Sequence, residues 1–251
     1  MRVRALTCGW LTGPAALFLD GATGALRVPV PSVLIEHPRG TVLFDTGLHP
    51  TLGTDPAARL GWQADLWTVE LGPDEDVVGR LAALGVPAER IDLVVTSHLH
   101  FDHAGGLGLL PRATLVIQRH EWEAARDPDL AARNYLDAAD WDHGHARRVI
   151  DGEHDLFGDG RIVCVPTHGH TPGHQSLRLR LDDGRDVLFT ADACYLRESL
   201  AARRLPSFGH DPVAMRAVLD HLDALAANGT QLVFGHDPEQ WPTVAEWVRT
   251  R

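Results

Sequence analysis

The stretch Ser97-His98-Leu99-His100-Phe101-Asp102-His103-Ala104-Gly105-Gly106 places three histidines and an aspartate within six residues. It follows the run Ile91-Asp92-Leu93-Val94-Val95-Thr96, whose β-branched and apolar residues read as a strand. Side chains two apart on an extended chain share a face, so His98 and His100 can aim at one point. Asp102 and His103 are adjacent and diverge unless the backbone turns between them. Gly105-Gly106 signals that a tight turn or a close helix packing begins there. The cluster thus offers two pairs of ligands aimed at neighbouring points, enough to begin two metal sites and not to complete them. Imidazole and carboxylate suit Zn²⁺ at ligand distances of about 2.0–2.2 Å. The same donors suit Fe²⁺, Mn²⁺ or Co²⁺.

Three further candidates stand where other strands are expected to end. His170 lies in Thr167-His168-Gly169-His170-Thr171-Pro172-Gly173-His174, where glycine and proline impose a defined backbone path. Asp192 lies in Ala191-Asp192-Ala193-Cys194-Tyr195, and His236 in Phe234-Gly235-His236-Asp237. With the cluster they make five histidines and two carboxylates, enough for two metals sharing a bridging carboxylate. His168 and His174 read as supporting or structural. The His143-Gly144-His145 pair lies in a polar region with no strand before it and reads as unrelated to the site. His37, His49, His120, His154, His210 and His221 have no supporting context.

The rest of the chain alternates strands and helices in both halves. A hairpin is expected over 28–44 about Pro38-Arg39-Gly40, its second run ending in Asp45-Thr46-Gly47. Asp74-Glu75-Asp76 opens a helix with the stripe Val77, Val78, Leu81, Leu84, closed by Gly85. A strand over 114–117 leads into a helix over 120–126. Strands follow over 161–165, 176–181 and 186–190. Asp211-Pro212 caps a helix with Met215, Val218, Leu219, Leu222 and Leu225 buried, and a last strand covers 231–234. Residues 48–73 read as irregular, with Trp62 and Trp67 either near a cleft or capping the core. No linker divides the chain, so 1–251 is expected to form one domain.

Bulk properties exclude several classes. The net charge of −11 opposes binding to phosphate backbones and to anionic membranes. Arg147-Arg148 and Arg203-Arg204 are short pairs that read as solvated surface. Three cysteines, with no C-x-x-C pair, indicate neither a disulfide framework nor a zinc knuckle. A reducing compartment, the cytoplasm, is the expected location. No apolar run has the length of a signal-peptide core or a transmembrane helix.

The pattern H-x-H-x-D-H at 98–103, followed by His170, Asp192 and His236, resembles the metallo-β-lactamase superfamily. The resemblance implies an α/β fold, a four-layer αββα sandwich with a dinuclear site at one edge. It implies that His98, His100 and His170 hold one metal, that Asp102, His103 and His236 hold the other, and that Asp192 bridges. Asp45 matches the family's aspartate after an early strand, which supports the metal loop without being a ligand. Thr171-Pro172-Gly173-His174-Gln175-Ser176-Leu177, Asp192-Ala193-Cys194-Tyr195 and the words around His236 are similar to the N-acyl-homoserine lactone lactonases, quorum-quenching enzymes that open a lactone ring. Tyr195 occupies the place of their tyrosine three residues after the bridging aspartate. The implied roles are oxyanion stabilisation for Tyr195 and, for Asp102, delivery of a proton to the ring oxygen beside its role as ligand. Cys194 stands where relatives carry serine, and 48–73 and 127–150, expected to shape the acyl pocket, show no match.

The competing readings are a broader lactonase or esterase, a glyoxalase II-like thioester hydrolase of the same fold, and a non-catalytic metal-binding module. Glyoxalase II carries an added helical domain, whereas the 15 residues after His236 read as one short helix ending in Trp247-Val248. A small-molecule lactone is the expected partner, with a homodimer through exposed tryptophans of 48–73 as a further expectation.

Overall fold

The computed structural model describes residues 1–247; Val248 lies outside them. Among the described residues, twelve strands form two sheets. They are β1 (Arg2–Pro14), β2 (Ala25–His37), β3 (Gly40–Phe44), β4 (Thr68–Glu70), β5 (Leu93–Val95), β6 (Thr114–Gln118), β7 (Arg147–Ile150), β8 (His154–Asp155), β9 (Ile162–Pro166), β10 (Gln175–Arg180), β11 (Asp186–Phe189) and β12 (Gln231–Val233). The first sheet runs β4-β1-β2-β3-β5-β6-β7, and the second β12-β11-β10-β9-β8.

Period-two alternation explains how these strands build four layers. Val33, Ile35, Val42, Phe44, Val95 and Val116 of the first sheet meet Ile162, Leu177, Leu179, Val187 and Phe189 of the second in one shared core. The residues between them, Leu34, Leu43, Val94 and Leu115, face outward and are covered by the helices Val77–Ala83 and Arg119–Arg126. On the second sheet Val163, Val165, Leu188 and Leu232 face outward against Leu219 and Leu222 of the helix Pro212–Ala227. Strands buried on both faces need apolar residues at every position, which is why they read as continuous apolar runs. The αββα expectation is borne out.

Two of the expected helices begin at an aspartate cap. Asp76 accepts from the amides of Val78 and Gly79, and Asp211 from those of Val213 and Ala214. The final helix is Trp241–Trp247. β1 and β7 are among the elements that carry no clear sequence signal. β1 is long, but a bulge between Thr7 and Trp10 breaks its alternation. β7 begins with the exposed Arg147 and Arg148 at the edge of the first sheet. Residues 48–73 form short helical turns and β4, with Trp62 65 % exposed.

Topology places the candidate ligands together. β3 and β5 are parallel neighbours, as are β11 and β12, and β9 runs in the same direction as β11 because both are antiparallel to β10. The loops after these strands carry Asp45, His98–His103, Asp192, His236 and His170 at one edge of the sandwich. No helix among the described residues is long and apolar enough to cross a membrane.

Candidate metal centre

The candidate ligands gather into two buried groups. His98, His100, His170 and Asp192 form one; Asp102, His103 and His236 form the other. Asp192 joins them: its Oδ2 lies 3.3 Å from His170 Nε2 and 3.7 Å from His98 Nε2, while its Oδ1 lies 3.0 Å from His236 Nε2 and 3.2 Å from His103 Nε2. Asp102 Oδ2 is 3.7 Å from both His103 Nε2 and His236 Nε2.

The turn that separates Asp102 from His103 is the short helix Phe101–Ala104. Its glycines serve close packing rather than an unusual φ. A Cβ on Gly106 would stand 2.4 Å from the carbonyl oxygen of Thr46, so the loop after β5 lies flush on the loop after β3.

A neutral imidazole has one N–H, and the partner of that N–H decides which nitrogen is left for a cation. His100 Nε2 donates to the carbonyl of Asn134 at 2.7 Å, leaving Nδ1 facing the site. His236 Nδ1 donates to the carbonyl of Pro29 at 2.8 Å, and His103 Nδ1 to Asp45 Oδ2 at 2.9 Å, leaving both Nε2 atoms. His98 Nδ1 lies 2.9 Å from Ser97 Oγ, which donates to Asp45 Oδ2 at 2.8 Å. The free nitrogens converge: His100 Nδ1 is 2.9 Å from His98 Nε2 and 3.1 Å from His170 Nε2. Ligands about 2.0–2.1 Å from a tetrahedral ion stand about 3.3 Å apart, close to this arrangement.

The residues fit two cations on a second count. His103 Nε2 and Asp192 Oδ1 are fully buried and have no hydrogen-bond partner. Lone pairs held this close repel unless positive charge lies between them. Burial disfavours protonation of His103, yet Asp192, Asp102 and Asp45 hold its pKa well above the ordinary histidine value. His236 is raised in the same way, against burial, by Asp192 and Asp102. Burial would also raise Asp192, but His103 and His236 hold it well below the usual carboxylate range. His98 and His170 are driven well below by burial, which keeps them neutral donors. The arrangement fits a dinuclear divalent-metal site.

Asp45 organises the centre from outside it. Its backbone sits at φ 58°, a conformation that costs a non-glycine residue energy and that aspartate tolerates better than most. Its carboxylate accepts from the Ser97 amide at 2.6 Å, from Ser97 Oγ and from His103 Nδ1. Asp45→Asn keeps the shape but turns an acceptor into a donor opposite one of these partners. It is expected to weaken cation binding by about 10–100-fold, read by competition with a chelator. Unchanged binding would make Asp45 a packing residue.

His174 is excluded from the ligands by its partners. Its Nδ1 pairs with Thr167 Oγ1 at 2.9 Å, its Nε2 accepts from the Asp192 amide at 3.1 Å, and burial lowers its pKa to about 3. His143 and His145 stay outside both groups; His145 Nε2 donates to the Leu110 carbonyl at 3.0 Å.

Tyr195 is buried beside the centre. Its hydroxyl lies 3.4 Å from His170 Nδ1, and its ring stacks on His236 at 5.4 Å and meets Phe18 edge-on at 5.7 Å. Burial, with Asp192 and Asp102, raises its pKa well above the usual phenol value, so it stays a donor. An apolar cavity of about 120 Å³ borders His100, lined by Leu17, Leu66, Trp67, Phe101 and Phe208 among others. A second cavity, of about 510 Å³, shares Trp62, Gln63, Phe101 and Tyr135 with it. Both 48–73 and 127–150 therefore reach the centre.

Sequence reasoning passed over Glu121 and the carbonyls of Asn134 and Pro29. The carbonyls carry no side-chain signal. Glu121 looks like an ordinary acidic residue in the first turn of a helix, yet it is fully buried.

The Metallo-beta-lactamase superfamily profile matches residues 25–236. The N-acyl homoserine lactonase AttM of Azorhizobium caulinodans is 36 % identical over 223 residues, covering 86 % of this chain and 85 % of its own length. The N-acyl homoserine lactonase AiiA of Bacillus thuringiensis subsp. kurstaki is 30 % identical over 217 residues, covering 86 % and 84 %. Among solved structures, an N-acyl homoserine lactone hydrolase with N-hexanoyl-L-homoserine bound at its catalytic metal center matches with a TM-score of 0.86 at 25 % identity, over 96 % of this chain and 95 % of that one. With sequence match, fold and ligand arrangement in agreement, this chain belongs to the metallo-beta-lactamase superfamily.

Proposed function

We propose that this protein is a metal-dependent hydrolase that opens the lactone ring of N-acyl homoserine lactones. The observation that carries the reading is the meeting of two His/carboxylate groups at Asp192, with Tyr195 beside them and an apolar cavity bordering His100. The activity named for AttM and AiiA, relatives along most of the chain, supports the same substrate class.

In this reading His98, His100 and His170 would hold one cation, Asp102, His103 and His236 the other, and Asp192 would serve both. The nitrogen and carboxylate donors suit zinc first, with iron, manganese and cobalt sharing the preference for such ligands. Two bound divalent ions would supply Lewis acidity, making water a nucleophile near neutral pH and polarising an ester carbonyl. The remaining work falls to the protein. Tyr195, held protonated, donates to the carbonyl oxygen as it gains negative charge. Asp102 is the carboxylate that would take a proton from the attacking water and pass it to the departing ring oxygen. Leu17, Trp67, Phe101 and Phe208 receive the acyl chain, and Trp62 and Tyr135 border the route to the larger cavity. No serine or cysteine nucleophile is required; Ser97 is occupied with Asp45.

We further infer that 1–251 acts as one domain, because a single core joins the two sheets. A cytoplasmic setting is supported by three free, buried cysteines, Cys8, Cys164 and Cys194. A substrate panel tests the reading. Homoserine lactones with short and long acyl chains are expected to be hydrolysed with higher kcat/KM than a simple γ-lactone, a thioester or a β-lactam. Preference for the thioester would move the assignment to a glyoxalase II-like hydrolase, and metal content without hydrolysis of any member to a binding module.

A further inference from the structure

Glu121 is a buried carboxylate that the proposed reaction does not use. It stands in the first turn of the helix Arg119–Arg126, where acidic residues ordinarily face water and the positive end of the helix. Here it is fully buried, and its two oxygens point at the loops that carry the histidines. Oε1 accepts from the amide of Leu99, the residue between His98 and His100, at 3.1 Å. Oε2 accepts from Thr171 Oγ1 at 2.7 Å and from the amide of Gly173 at 2.9 Å, in the loop that begins at His170. The second loop is seated directly on the helix start: a Cβ on Gly173 would stand 2.0 Å from the Glu121 backbone nitrogen.

We propose that Glu121 is a positioning residue that locks the two loops bearing His98, His100 and His170 into one three-nitrogen face, and so sets cation affinity at that half of the centre. The proposal rests on the dinuclear reading above. Loops from different strands, more than sixty positions apart in sequence, have no local reason to hold His98 Nε2 and His170 Nε2 each about 3 Å from His100 Nδ1. One carboxylate accepting from both supplies that reason. The other half is held by different groups, His103 by Asp45 and His236 by the Pro29 carbonyl. Burial pushes the Glu121 carboxyl up to about 7 even with three donors opposing it. A carboxylate buried at such cost, without a cation among its hydrogen-bond partners, is a poor device for stability alone.

The test is cation titration of the metal-stripped protein with Zn²⁺ or Co²⁺, scored by chelator competition and by the visible absorption of Co²⁺. Wild type is expected to take two equivalents. E121Q turns one acceptor into a donor facing a loop and is expected to weaken one equivalent by about 10–100-fold while leaving the other unchanged. In a His236→Ala background, which keeps the His98, His100 and His170 face, E121Q should weaken the single remaining equivalent. T171V, which deletes one donor and no charge, should shift the same equivalent by a smaller factor and keeps the test open if E121Q does not fold. A fall in melting temperature with both affinities unchanged, or equal weakening of both equivalents, would overturn the proposal. Wild type binding fewer than two cations would instead overturn the dinuclear reading.

Discussion

Replacing Asp192 with alanine is expected to lower lactone hydrolysis by about a thousandfold or more and to leave the protein with fewer than two cations per chain. One carboxylate oxygen faces each group of ligands, Oδ2 toward His170 and His98, Oδ1 toward His236 and His103. On the proposed assignment, deleting it would remove a ligand from both cations and part of the negative charge that balances them. A Lewis-acid cation contributes several kcal/mol to a transition state of this kind, and each 1.4 kcal/mol or so is about tenfold in rate. Elemental analysis beside kcat/KM checks the result. Two metals retained with full turnover would remove Asp192 from the centre.

Tyr195→Phe should lower kcat by about tenfold to a few hundredfold with metal content unchanged, the scale of losing one oxyanion donor. The substitution separates chemistry from packing. Phenylalanine preserves the contacts of the ring with Phe18 and His236 and deletes only the hydroxyl. The loss should fall on kcat rather than KM, because the donor acts on charge that develops during the reaction. An unchanged kcat would reduce Tyr195 to a wall of the pocket.

The strands were legible because they are buried on both faces, which makes them continuous apolar runs. Their ends were legible because polar residues and glycines cluster where a parallel strand stops. β1 was not, since its bulge removes the period on which strand reading depends. The H-x-H-x-D-H words marked a metal by their density. His170, Asp192 and His236 were recognisable only through the words around them, each being an isolated polar residue at the end of a strand.

Residue types and spacing are enough to show which side chains are available to the centre and that they lie in loops after strands. They also separate the supporting His174 and the unrelated His143 and His145 from the set. What those side chains present depends on the folded arrangement. Which nitrogen of His100 or His236 faces the site depends on a carbonyl of Asn134 or Pro29, and any residue type has a carbonyl. Whether Glu121 faces water or holds two loops depends on burial, because the same carboxylate in the same helical turn reads identically in either place. Composition and spacing select the chemistry. Orientation, tautomer and desolvation exist only once distant strands are paired.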